Sequence, residues 1–281
     1  MELFGGAGHS LEIAKKLKGT GMLIGIDRDV EALQAAKEKL SEYKNIKYIH
    51  GNHDEIIEIL ESLGIKEADG ILLDLGVSSY QLDNKERGFS YMSEDKPLDM
   101  RMNKEDTLTA KEIVNTYTEE KLYEIISKYG EEKFAKNIAK NICIERKNRE
   151  ILKTGELIQI IRKSIPAKFQ QNGHPAKKTF QAIRIEVNNE IEPLYNTTIS
   201  AIKALKKGGR LCTITFHSLE DRAVKEAYTD MTRKMYLPKR IAILRMRSNI
   251  VWKNNKQKTY YCKRRRTKRK YKVKISKTKD I

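Results

Sequence analysis

Near its start the chain carries a glycine-rich turn, Gly5, Gly6, Ala7, Gly8, His9 and Ser10, followed by apolar positions at helical spacing through Leu17. Such a turn lets a ligand approach the backbone at a helix N-terminus, where unpaired N–H groups and the helix dipole meet it. Asp27 ends the next apolar run, about twenty residues on, where a carboxylate can accept hydrogen bonds from a ribose diol. It could instead cap the following turn together with Asp29. The densest chemistry lies in DLGVSSYQLD at 74–83, RGFS at 87–90 and PLDMR at 97–101. Neither strand nor helix periodicity accounts for so much Gly, Ser, Asp and Arg directly beyond a strand. Open α/β sheets bind their ligands at that end, so the loop reads as functional, with Phe89 and Met100 as its core anchors.

The elements that must position these residues alternate. Apolar runs at 22–26, 46–50 and 70–73 are separated by an amphipathic helix at about 30–40, which argues for a parallel sheet in an α/β fold. Only residues 1–4 precede the glycines, so the first strand is expected to be missing. From about residue 103 to 175 the pattern turns to polar, Lys/Glu-rich helices, read as an inserted helical domain. A long helix at about 178–205 then leads to a returning strand at 210–216. The expected layout is a first part of the sheet domain at 1–103, the insertion at 104–175, the second part at 176–232 and a tail at 233–281.

The chain has 281 residues, enough for a sizeable core, and its apolar runs are too short to cross a membrane. Its three cysteines, Cys143, Cys212 and Cys262, are too far apart for a zinc ribbon or a disulfide framework; no metal site is expected, and a reducing cytoplasm is. The net charge of +18 is unevenly placed: residues 233–281 hold 20 Lys and Arg against one acid, leaving 36 basic and 37 acidic residues for the first 232. The body is near neutral, and the tail needs its own explanation.

Eight segments together closely resemble the bacterial 16S rRNA cytosine-N4 methyltransferases, also called MraW or RsmH. They are GGAGHS at 5–10, GIDRD at 25–29, DGILLDLGVSSYQLD at 69–83, ERGFS at 86–90 and PLDMRM at 97–102. Further on come YGEEKFAKNIAK at 129–140, HPAKKTFQAIRIEVNNE at 174–190 and GGRLCTITFHSLEDR at 208–222. The resemblance implies a Rossmann-like, S-adenosylmethionine (SAM)-dependent methyltransferase with an inserted helical substrate-recognition domain. Its target would be N4 of a cytidine in the decoding region of 16S rRNA in the small ribosomal subunit, with no membrane and no metal involved. SAM would lie against Ala7, Gly8 and His9, with Asp27 on its ribose and His53, Asp74 and Gln81 completing the site. His53 stands where the family usually has an aromatic residue, and it would stack on adenine more weakly.

The exocyclic amine of cytosine is a poor nucleophile, because its lone pair is delocalised into the ring. An acceptor taking an N4 hydrogen from a cytosine swung out of its stack would localise that lone pair. Asp74 is the catalytic candidate, with Ser78 and Ser79 behind it; the alternative is that Asp74 contacts only the cofactor. His217 and Ser218 could line the same crevice, although a lone His after a strand is more often structural. His174, Lys177, Lys178 and Arg184 could meet RNA phosphate or simply form a solvated face.

Two departures from the family stand out. Met1 and Leu3 occupy the positions of an Asp and a Thr, and some thirty family residues have no counterpart before them, which reads as a truncation. The family pattern fades near Thr232. Back-translated with AT-rich codons and read one base later, the tail acquires Cys-x-Cys pairs, a KPIT segment and a closing AKLRI, like the family's own ending. The expectation is a frame change near codon 232 and a disordered, out-of-frame tail that binds RNA non-specifically through its charge. The alternative to an active enzyme is thus a catalytically impaired remnant that binds RNA through this tail. A nicotinamide-dependent dehydrogenase would share the glycine turn and Asp27 but leave 74–81 unexplained.

Overall fold

The computed structural model describes residues 2–3, 7–17, 19–171, 173–234, 242–247, 258–262 and 271–275. The chain divides into two compact units, Met1–Gly76 with Ile191–Ile281, and Val77–Glu190.

The first unit is an α/β layer built around strands β1 (Glu2–Leu3), β2 (Leu23–Asp27), β3 (Ile46–His50), β4 (Ala68–Asp74) and β5 (Leu205–Ile214). The described strands lie in the order β3-β2-β1-β4-β5, followed by β6 (Ala242–Arg247), β8 (Tyr271–Ile275) and β7 (Lys258–Cys262). Pairing is parallel from β3 through β6 and antiparallel for the last two strands. The sequence pattern leaves no first strand, yet Glu2–Leu3 pair with Gly25 and Ile26 on one side, and Glu2 with Leu72 on the other. Two residues carry no periodicity to read, but they suffice to join β2 to β4. Of the tail at 233–281, where disorder is expected, residues 233–234 end α11 and β6 to β8 are strands; the rest falls outside the described residues.

Alternation along the strands covers both faces, as a parallel sheet requires. Ile24, Ile26, Ile71, Leu73 and Leu211 pack with α3 (Ile56–Ser62), α10 (Leu194–Lys203) and α11 (Ser218–Lys234) through Ile56, Leu60, Leu194 and Val224. Ile46 and Tyr48 lie with Ala7 against Leu33, Ala36 and Leu40 of α2 (Val30–Lys39) and its C-cap. The chain runs outward from β1 to β3 and then returns to place β4 on the other side of β1. The boundary between β1 and β4 is therefore the switch point of the sheet, where open α/β sheets bind ligands at the carboxyl ends of their strands.

The second unit carries α4 (Ser79–Asp83), α5 (Ala110–Thr116), α6 (Glu119–Gly130), α7 (Ala135–Asn148), α8 (Thr154–Ser164) and α9 (Lys177–Asn188). Within it Asn188 ties α9 to the loop before α5. Its Oδ1 accepts from Met102 N and its Nδ2 donates to Met100 O, both at 2.7 Å. The single long helix expected at 178–205 is two. Asn189 adopts a left-handed conformation at φ 46°, ending α9, and Pro193 precedes the first residue of α10. No described helix is long and apolar enough to cross a membrane.

Candidate active site

Helix α1 (Gly8–Leu17) starts directly after Ala7, which is buried and held at φ 55°. This left-handed residue turns the backbone from β1 into the helix. A Cβ built at Gly8 would meet nothing within 4 Å, so the turn leaves open space over the start of α1. Gly5 and Gly6 lie outside the described residues.

His9, in the first turn of α1, reaches across to the end of β4, where its Nδ1 stands 3.2 Å from Asp74 Oδ2. The start of α1 and the end of β4 are thus joined by these side chains. His9 is 44% exposed at its side chain and Asp74 only 12%. The second carboxylate oxygen, Asp74 Oδ1, is buried and has no hydrogen-bond partner among the described residues. A buried acceptor left so is costly unless a water, a ligand or a substrate supplies its donor.

Asp27 ends β2, its Oδ1 accepting from Asp29 N at 2.9 Å, while Asp29 itself caps α2 by accepting from Glu31 N at 3.0 Å. The capping task thus belongs to Asp29. Burial pushes the Asp27 carboxyl up to about 7, against the opposing effect of the Asp29 N–H bond. His53 opens the short turn after β3, where Asn52 Oδ1 accepts its backbone N–H at 2.8 Å. Burial, and then the positive charge of Arg28, push its imidazole down to about 4, and its buried Nδ1 has no partner. His53 is therefore a neutral ring at physiological pH.

Gln81 belongs to the second unit, buried in the first turn of α4. Its Oε1 accepts from Ser78 N at 3.0 Å and its own N–H donates to Ser78 Oγ at 3.1 Å, a reciprocal capping box. Ser78 is thereby engaged in local structure. His217 is engaged likewise: its Nδ1 accepts from Glu220 N at 3.4 Å and its Nε2 faces Glu220 Oε1 at 3.1 Å. Glu220 is 2% exposed and its Oε2 accepts from Phe216 N at 2.7 Å, so the pair organises the start of α11. The sequence reading passed over Glu220, although a polar residue three positions before a Glu is a helix-start signal. It also passed over Arg28, whose charge acts on both Asp27 and His53; its place directly after the strand-ending acid was the available clue.

The raised carboxyl at Asp27 carries a stability consequence. An acid protonated in the folded state up to about pH 7 but ionised in the unfolded chain above about 4 costs stability as pH rises between those values. The Asp27→Asn variant has no such titration. Its melting temperature is expected to match the parent near pH 4, to exceed it increasingly up to about pH 7, and to keep a constant advantage above. Thermal unfolding across that range checks this, and a difference that shrinks with rising pH refutes it.

The MraW methylase family matches residues 2–268 of the chain. Ribosomal RNA small subunit methyltransferase H of Clostridium botulinum (strain Kyoto / Type A2) is 56% identical over 234 residues, covering 83% of this chain and 75% of that protein. Ribosomal RNA small subunit methyltransferase H 2 of Agathobacter rectalis is 55% identical over 226 residues, covering 80% and 72%. With the His9–Asp74 contact at the switch point and a family match over most of its length, the chain belongs to the MraW methylase family.

Proposed function

We propose that the chain is a SAM-dependent RNA methyltransferase acting on N4 of a cytidine in the decoding region of 16S rRNA, presented in the small ribosomal subunit in the cytoplasm. The observation that carries the reading is Asp74, with one oxygen on His9 and the other buried without a partner beyond the end of β4. The names of the relatives, both rRNA small subunit methyltransferases, support the substrate class.

The residues present fit SAM. The left-handed Ala7 and the open approach over Gly8 suit a ligand lying against the start of α1. Asp27, at the end of the neighbouring strand, can accept from a ribose diol once ionised. His53, uncharged, offers a ring face to adenine and an unsatisfied Nδ1 to a donor. Gln81 stays in the proposed set on the strength of the resemblance. The bound cofactor would supply a methyl group on a positively charged sulfur, a strong electrophile.

The protein's own task is to make the amine nucleophilic and hold it in line. Asp74 Oδ1 accepts an N4 hydrogen, draws the lone pair out of conjugation, and takes up the proton that the methylated nitrogen must lose. His9 holds the carboxylate in orientation through Oδ2. The second unit, which includes the helical stretch 104–175, is the candidate for recognising the RNA around the target.

The direct test is to incubate the chain with methyl-labelled SAM and small subunits from cells lacking this modification, then digest the RNA to nucleosides. Label in N4-methylcytidine is the expected result. SAM binding without labelled RNA would favour the impaired remnant, and binding of NAD in place of SAM would overturn the methyltransferase reading.

A further inference from the structure

We propose that Phe169, flanked by Lys133 and Lys168, is a stacking site for an unpaired nucleotide of the RNA substrate. The inference rests on the RNA methyltransferase reading and adds a contact surface within the second unit. Phe169 is 45% exposed, high for a large apolar ring. The ring is nevertheless fixed. It ends the 3-10 turn Ala167–Phe169, and Gln170 Nε2 clamps the following backbone by donating to Arg162 O at 2.9 Å and Ile165 O at 2.7 Å. Phe134 packs on it at 5.1 Å between centroids with the planes tilted by 52°, and is itself held where Glu132 Oε1 accepts its N–H at 3.0 Å.

Two ammonium groups crowd this one ring: Lys133 Nζ and Lys168 Nζ each lie 5.1 Å from its centroid. Neither forms an ion pair among the described residues. Like charges brought to one aromatic surface repel each other unless an anion joins them. A nucleotide in a single strand offers both a base face and flanking phosphates, the complements of an exposed ring and two cations. Aromatic platforms beside basic side chains take unpaired bases in this way, with stacking tolerant of base identity. An exposed double-stranded segment would offer phosphates but no base face, so the occupant is a single-stranded or splayed-out residue of the rRNA.

The test compares Phe169→Ala, Phe169→Trp and the parent, full chain in each case. In methylation of small subunits, Phe169→Ala is expected to raise KM about 10- to 100-fold with kcat and SAM affinity unchanged, and Phe169→Trp to restore KM. Lys133→Ala and Lys168→Ala should each lower the slope of log KM against log salt by about 0.7, the tail's own contribution cancelling between variants. An unchanged KM for Phe169→Ala overturns the proposal. Should the parent show no methyl transfer, thiouridine-substituted 16S rRNA is cross-linked to it by light and the peptides mapped. Attachment within residues 168–170 supports the site. Cross-links confined to the basic tail, or attachment of a ribosomal protein there in place of RNA, overturn it.

Discussion

Replacing Asp74 with Asn is expected to reduce methyl transfer to small subunits by about 100- to 10,000-fold while leaving the fold intact. The substitution is isosteric, so the packing around the end of β4, where Asp74 pairs in register with Ile214 of β5, is retained. What changes is the number of acceptors. Asp74 offers one oxygen to His9 at 3.2 Å and keeps the other buried and unpartnered. Asn offers one acceptor only, and whichever way its amide turns, an NH₂ group replaces either the oxygen at His9 or the oxygen meant for the N4 hydrogen. Neither arrangement can also take up the proton released on methylation. Single-turnover methylation beside calorimetric titration of SAM separates the two roles that the sequence left open. If Asp74 touched only the cofactor, the variant would bind SAM more weakly but regain the parental rate at saturation. A variant that binds SAM normally and methylates normally would remove Asp74 from the mechanism altogether.

Strand ends were the legible part of this site. Asp27 and Asp74 each stop an apolar run, and β3 at Ile46–His50 coincides with its reading from the sequence, because buried parallel strands are short apolar runs with clear breaks. The pair formed by His9 and Asp74 was not legible as a contact. The two residues are 65 positions apart, and only the return of β4 beside β1 brings them together. Strand β1 was missed because two residues have no pattern. The break between α9 and α10 had visible signals in Asn189 and Pro193, which an otherwise continuous apolar spacing outweighed. Gln81 shows the reverse difficulty. Ser78 and Gln81 stand at the spacing of a capping box, a local structural signal, in a stretch whose resemblance drew attention to chemistry. His217 is the same case, a polar residue beside a strand end whose Nδ1 accepts from Glu220 N and whose Nε2 lies beside the Glu220 carboxylate.

Gly88→Ala is expected to be the most damaging single methyl in the second unit, lowering the melting temperature by about 10 °C or more or preventing soluble expression. Gly88 follows the 3-10 turn Lys85–Arg87 at φ 70°, and a Cβ there would lie 2.2 Å from Pro97 O and 3.0 Å from Asp99 N. Both obstacles are backbone, so no side chain can swing away. Nor can the backbone drift freely, since Met100 N donates to Arg87 O at 3.0 Å and buried Arg87 donates through Nη2 to Arg101 O and Met102 O. Asp99 and Arg101 form a two-point pair, and Asn188 holds Met100 and Met102 from the other side. Relieving the methyl means giving up several of these bonds together, a loss on the order of 4 kcal/mol or more in a protein with about three times that in total. Gly64→Ala is the control. Gly64 has nearly the same φ, 68°, but nothing within 4 Å of a built Cβ, so only the left-handed strain of about 1 kcal/mol applies. Thermal unfolding of both variants therefore separates conformation from collision. Equal, small losses would mean that the Gly88 loop yields without breaking its network, whereas a large loss at Gly88 alone makes the close approach of two backbones the reason a glycine stands there.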